Sequence, residues 1–161
     1  MKRLFIVRHA KSSWKYSVSD LNRPLKKRGI IDANLVSKHT SNLFSKPDLI
    51  MCSPSKRTKQ TAKIFIENWG LKNISCEIEP NLYDFEGCSF LKSIKKIKNE
   101  TNTIMIFAHN FAVSEFVNTF GNSHINSFPT CGFVVIDFNI DYWEQLIKGN
   151  TVYSIFPKYL K

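Results

Sequence analysis

Short apolar runs alternate along this chain with longer stretches of helical periodicity. Leu4-Phe5-Ile6-Val7 and Ile104-Met105-Ile106-Phe107-Ala108 are continuous apolar runs, the pattern of strands buried on both faces. Strands are predicted over 3–8 and 103–108, with another over 48–52 after the break at Pro47-Asp48. Between them Ile30, Ile31, Ala33, Leu35, Val36 and Leu43 recur at helical spacing over 26–45. A second helix is predicted from Ser53-Pro54, read as N-cap and first helical position, to about Trp69, with Gly70 as its C-terminal cap. Residues 74–79 alternate like an exposed strand, 88–99 form an amphipathic helix, and another helix spans 111–120. Two β-like stretches, 132–138 and 144–156, read as antiparallel additions at a sheet edge. Strands alternating with helices predict a single domain over 1–161 of the α/β class. The expected architecture is a three-layer αβα sandwich with a mostly parallel central sheet and an antiparallel C-terminal edge.

In such sheets ligands bind outside the carboxyl ends of the strands. The residues that follow each buried strand are therefore the ones to read for chemistry. The first strand ends in Arg8 and is followed by His9. The second leads into Ser53 and a helix start carrying Arg57, and the third into His109 and Asn110. Two of only four histidines and two of only five arginines thus fall on one rim.

Composition narrows the partners. With 161 residues, 43% hydrophobic and 22% charged, the chain can bury a core without disulfide or metal staples. No apolar run approaches the roughly 20 residues needed to span a bilayer. The apolar stretch at the start stops at Arg8, too short for a signal peptide, so a soluble cytoplasmic protein is expected. Cys52, Cys76, Cys88 and Cys131 form no CxxC pair and fit a reducing compartment as free thiols. The net charge of +10 favours an anionic partner, yet the bases are scattered lysines apart from a run at Lys92, Lys95, Lys96 and Lys98. That run has helical spacing without arginine or aromatic interleaving, the pattern of a solvated face; neither nucleic acid nor a membrane is the expected partner.

Histidines gathered with arginines suit a phosphoryl group better than a metal. Arginines would repel a cation, no HxH or HxxxH spacing occurs, and neither metal nor cofactor is expected. Guanidinium forks match phosphoryl oxygens, and one histidine can attack phosphorus as a nucleophile.

The motifs support this in detail. Arg8-His9-Ala10-Lys11-Ser12-Ser13-Trp14, the stretch from Ser19-Asp20 through Arg23-Pro24 to Arg28-Gly29, Ser53-Pro54-Ser55-Lys56-Arg57 and Ala108-His109-Asn110 resemble the histidine phosphatase (phosphoglycerate mutase-like) superfamily, specifically its SixA-type phosphohistidine phosphatase branch. Phe128-Pro129-Thr130-Cys131-Gly132 and Pro157-Lys158 are similar to the tail of that branch. The resemblance implies His9 as the phosphorylated nucleophile, with Arg8, Arg57 and His109 gripping the phosphoryl group. Arg23 is a candidate fourth phosphate contact or a structural partner of Asp20, and Arg28 a brace for the helix start. Lys15 stands where many members carry an Asn that touches phosphate; it supplies charge or points to solvent. By register Asp84 takes the place of the general acid, its alternative being a loop-start or capping residue. His39 and His124 match no motif. The expected activity is that of a metal-independent phosphatase acting on protein phosphohistidine. A phosphatase for small phosphate esters is the alternative, and a non-catalytic phosphate- or nucleic-acid-binding module stands behind both.

Overall fold

The computed structural model describes residues Met1–Lys161. Its strands are β1 (Lys2–Arg8), β2 (Leu49–Cys52), β3 (Cys76–Ile78), β4 (Thr103–Ala108), β5 (Phe133–Phe138) and β6 (Asn150–Ile155). Its helices are α1 (Lys27–Thr40), α2 (Lys56–Trp69), α3 (Cys88–Lys95) and α4 (Ala112–Phe120). The strands form one sheet in the order β3-β2-β4-β1-β5-β6. β1, β2, β3 and β4 run parallel, while β5 is antiparallel to β1 and β6 to β5.

The continuous apolar runs become the central strands because both faces of the sheet are covered. Leu4 and Ile6 of β1 and Ile104 and Ile106 of β4 meet Phe90 and Ile94 of α3 and Val113 and Phe116 of α4. On the other face Phe5, Val7, Met105 and Phe107 meet Ala33 and Val36 of α1 and Ala62 and Phe65 of α2. This is the α/β three-layer arrangement that the alternation of elements predicts.

Several boundaries differ from the sequence reading, each for a local reason. α2 starts two residues late: Ser55, not Ser53, is its N-cap, with its side chain accepting from the Thr58 N–H. α1 stops at Thr40, whose hydroxyl donates back to the Val36 carbonyl and accepts from the Trp69 indole. Phe44 then turns onto Phe5. α3 ends at Lys95 rather than 99. The stretch 144–156 is not one strand, because Trp143 is buried and donates to the Thr101 carbonyl at 2.7 Å, ending that segment in a 3-10 turn before β6 begins. No helix is long and apolar enough to cross a membrane.

Candidate active site

β1, β2 and β4 are adjacent and parallel, so their carboxyl ends open on one side of the sheet. β1 ends in Arg8, with His9 next. His9 is 7% exposed, and its Nδ1 lies 2.8 Å from the Ala10 carbonyl. A carbonyl only accepts, so Nδ1 carries the proton and Nε2 keeps an unprotonated lone pair. That lone pair faces Arg57 Nε at 3.4 Å. Burial lowers the His9 pKa to about 3; the Ala10 carbonyl opposes this, while His109, Arg57 and Arg8 add to it. The imidazole is therefore neutral at pH 7.

The backbone here is fixed from three sides. The Cys131 N–H donates to the carbonyls of Arg8 and His9, both at 3.1 Å. Arg8 Nη1 donates to the Phe128 carbonyl at 2.7 Å, and the Ala10 N–H donates to Thr61 Oγ1 at 3.0 Å. Cys131 takes up a left-handed φ of 59° to make its turn. Arg8 Nε is buried with no hydrogen-bond partner in the chain. A buried donor of this kind costs about 1–3 kcal/mol unless a ligand oxygen satisfies it.

Arg57 comes from the first turn of α2 and is 1% exposed. Its Nη2 reaches His109 Nδ1 at 3.4 Å as well as Asp20 Oδ2 at 2.9 Å. Because that His109 nitrogen faces a donor, the proton sits on Nε2, which donates to Ser53 Oγ at 2.7 Å. His109 is also pushed down to about 3, chiefly by burial and then by the Arg57 charge, with Asp20 pulling the other way. The two imidazole rings lie 5.3 Å apart. A neutral lone pair beside a buried guanidinium can attack an electrophilic phosphorus whose oxygens the arginines hold.

The fourth wall is the loop before α1. Its 3-10 turn, Asp20–Asn22, places the Asp20 carboxylate against Arg57. Arg23 is 7% exposed; its Nε donates to Asp20 Oδ1 at 3.1 Å, and its Nη1 donates to Ser12 Oγ at 2.5 Å. Its guanidinium stacks 3.6 Å from the Trp14 ring centroid. Arg8, His9, Ser12, Asp20, Arg23 and Arg57 line a cavity of about 220 Å³, with His109 fully buried behind them.

The structure therefore gathers Arg8, His9, Arg57, His109 and Arg23. It does not bring Asp84 among them. Both Asp84 oxygens accept from backbone: Oδ1 from Glu86 N–H and Oδ2 from the N–H groups of Gly87 and Phe90, each at 3.0 Å. Asp84 thus fits its capping reading, at the start of α3. Burial would raise its pKa, but the backbone donors hold it below the usual carboxylate range, so it is ionised at neutral pH. Lys15 is exposed and lies outside the cavity wall; Lys11 and Ser12 stand there instead. Arg28 lies in the first turn of α1 with its side chain exposed, 3.7 Å from Asp32 one turn on. His39 touches Tyr153 away from the pocket, and His124 is exposed. The sequence reading missed Ser53 as a partner of His109 and Tyr83, whose hydroxyl donates to Asp20. A Ser after a buried strand has no signature that names a partner 56 residues away.

The family description "Histidine phosphatase superfamily (branch 1)" matches residues 4–97, more than half of the chain. The chain belongs to the histidine phosphatase superfamily. Solved structures share the fold. The protein histidine phosphatase SixA complexed with tungstate superposes with a TM-score of 0.82 at 21% identity, covering 99% of both chains. Phosphoserine phosphatase from Entamoeba histolytica, in complex with 3-phosphoglyceric acid, gives 0.67 at 14% identity over 100% of both chains. An uncharacterized chloroplastic protein of Arabidopsis thaliana is 30% identical over 153 residues, covering 89% of this chain and 70% of its own length.

Proposed function

We propose that the protein is a metal-independent phosphatase that works through a phosphohistidine on His9, with protein phosphohistidine as its substrate. The observation that carries the reading is the His9 Nε2 lone pair, fixed by the Nδ1–H bond to Ala10 and set beside Arg57 and His109. In the first step Nε2 attacks phosphorus, a nitrogen–phosphorus bond forms, and the bond to the leaving group breaks. Arg8, Arg57 and Arg23 stabilise the charge on the phosphoryl oxygens. His109, whose Nδ1 accepts from Arg57 Nη2, holds that guanidinium beside the phosphoryl group. Water then attacks the phosphorus, inorganic phosphate leaves, and neutral His9 is regenerated.

The capped Asp84 supports the choice of substrate. An alkoxide leaving group needs a proton in the transition state, and an ionised carboxylate bonded to three backbone N–H groups does not supply one. An imidazole nitrogen departs more readily from a labile P–N bond. The SixA structure is of a protein named as a protein histidine phosphatase, in keeping with this substrate class. Phosphoserine phosphatase, of the same fold at 14% identity, keeps small phosphate esters as the second reading.

The test is hydrolysis of a phosphohistidine-bearing protein domain and of an aryl phosphate in EDTA, by wild type and by His9→Ala. Faster cleavage of the phosphohistidine, lost in His9→Ala, is expected. Cleavage of the aryl phosphate alone moves the substrate to small esters. Turnover retained by His9→Ala removes His9 as the nucleophile.

A further inference from the structure

Asp20 is the only carboxylate lining the cavity, among Arg8, Arg23, Arg57 and Lys11. Its Oδ2 accepts from Arg57 Nη2 at 2.9 Å and from the Tyr83 hydroxyl, and its Oδ1 accepts from Arg23 Nε at 3.1 Å. Its backbone carbonyl takes Arg57 Nη1 at 2.6 Å. Of the guanidinium of Arg57, then, Nη1 and Nη2 are both engaged by Asp20, and Nη2 is also the atom that faces His109. Nε faces His9, so a phosphoryl group on His9 draws on Nε and on the adjacent Nη2 that Asp20 also holds. The Asp20 side chain is 43% exposed and sits on a loop, whereas Arg57 is buried and anchored in α2. The carboxylate is the accessible partner of the pair and the guanidinium the enclosed one.

We propose that Asp20 is an internal competitor for the phosphoryl site: it holds Arg57 and Arg23 between turnovers, gives up donors to the incoming phosphoryl group, and recaptures them to drive out the phosphate product. The inference rests on the reading that this pocket takes a phosphoryl group. Two physical needs meet in one residue. Arg57 at 1% exposure requires a counter-charge whenever no substrate is bound, since a buried unpaired cation is costly. A pocket of three arginines with no competing anion would retain its dianionic product. The charge state suits the task. Burial acts to raise the Asp20 pKa, but hydrogen bonds from Tyr83, Arg57 and Arg23 bring it down to about 2, so the competitor is anionic at every working pH.

A residue that merely props Arg57 in place would, when altered, weaken anion binding. A competitor does the opposite. Asp20→Asn keeps the shape and an acceptor while removing the charge. Its affinity for inorganic phosphate and for orthovanadate, measured by calorimetry, is expected to rise about tenfold, the scale of one charge-assisted hydrogen bond. Product inhibition by phosphate should tighten by the same factor while kcat falls. Unchanged or weaker oxyanion binding in a folded Asp20→Asn overturns the proposal and leaves the phosphatase reading standing. Wild-type protein that binds neither oxyanion overturns both. If the variant does not fold, hydrogen exchange of the wild type decides. Orthovanadate should speed exchange at the Asn22 and Arg23 amides, which close the Asp20 turn, and slowed exchange there overturns the competitor role.

Discussion

Two cation-rich regions of this chain behave in opposite ways. Lys92, Lys95, Lys96 and Lys98, on and just after α3, all point to solvent, while Ser93, Ile94 and Ile97 between them are buried. At the strand ends Arg57 and Arg23 are nearly inaccessible, with carboxylate, hydroxyl and imidazole partners placed around them. The lysine run holds more charges in fewer residues. It is also free to move, well hydrated and screened by salt, so it organises nothing. The arginines are few, but rigid forks in a desolvated pocket act on a ligand with little reorganisation. Local charge density in a sequence therefore says less about function than whether a fold can bury the charge and supply its partners.

The sharpest way to break this contrast is to remove the buried fork. Arg57→Ala is expected to lower kcat/KM by two to three orders of magnitude, about 3–4 kcal/mol of transition-state stabilisation, with circular dichroism unchanged. Arg57→Lys should recover little of it, because one ammonium cannot reach His9, His109 and both acceptors of Asp20 together. A loss below tenfold in either variant would put Arg57 on the same footing as the surface lysines.

Burial should also show in the pH dependence of stability. His9 and His109 protonate near pH 3 in the native state but near 6.5 when unfolded. Between those values the unfolded chain binds more protons, so stability falls as the pH drops from about 6.5 towards 3. Asp20, lowered from 3.8 to about 2, adds a loss of the same sign only at the acid end of that range. Urea midpoints measured from pH 7 to 4 should decline in wild type and flatten in a His9→Gln/His109→Gln double variant. A flat wild-type profile would mean that the histidines are not held neutral. Gly29 offers a smaller packing test of the loop that carries this site. A Cβ there would lie 2.1 Å from the Lys11 carbonyl oxygen, so Gly29→Ala should cost about 1–3 kcal/mol of stability and disturb the backbone beside Ser12.

How much of this was legible in the sequence depends on the range of each interaction. The buried strands and the residues that follow them could be read because hydrophobic runs report burial locally, and parallel topology then forces the strand ends together. By that logic Arg8, His9, Arg57 and His109 fall on one rim. It could not choose between the two readings of Asp84, since a carboxylate near a helix start serves as acid or cap and only its partners decide. Nor could it find the grip of Asp20 on Arg57, which joins an aperiodic loop to a helix 37 residues away. The 128–132 segment reads in sequence as a motif and not as a brace, because its work is done by backbone N–H and carbonyl groups that side-chain identity does not encode.

The smallest expected effect bears on the other half of the comparison. Replacing Lys92, Lys95, Lys96 and Lys98 together by Gln removes four charges at once and leaves the buried face of α3 untouched. If those charges only hydrate the surface, stability should change by at most about 0.5 kcal/mol and hydrolysis of a small aryl phosphate by less than twofold. With a phosphorylated protein domain as substrate the variant separates two physical roles. Steering by the lysine face would lower kcat/KM at low salt and lose that difference at high salt, with kcat constant throughout. An effect on kcat itself would mean that the exposed lysines reach the reacting group, and the division between a solvated charge and a working one would have to be redrawn at α3.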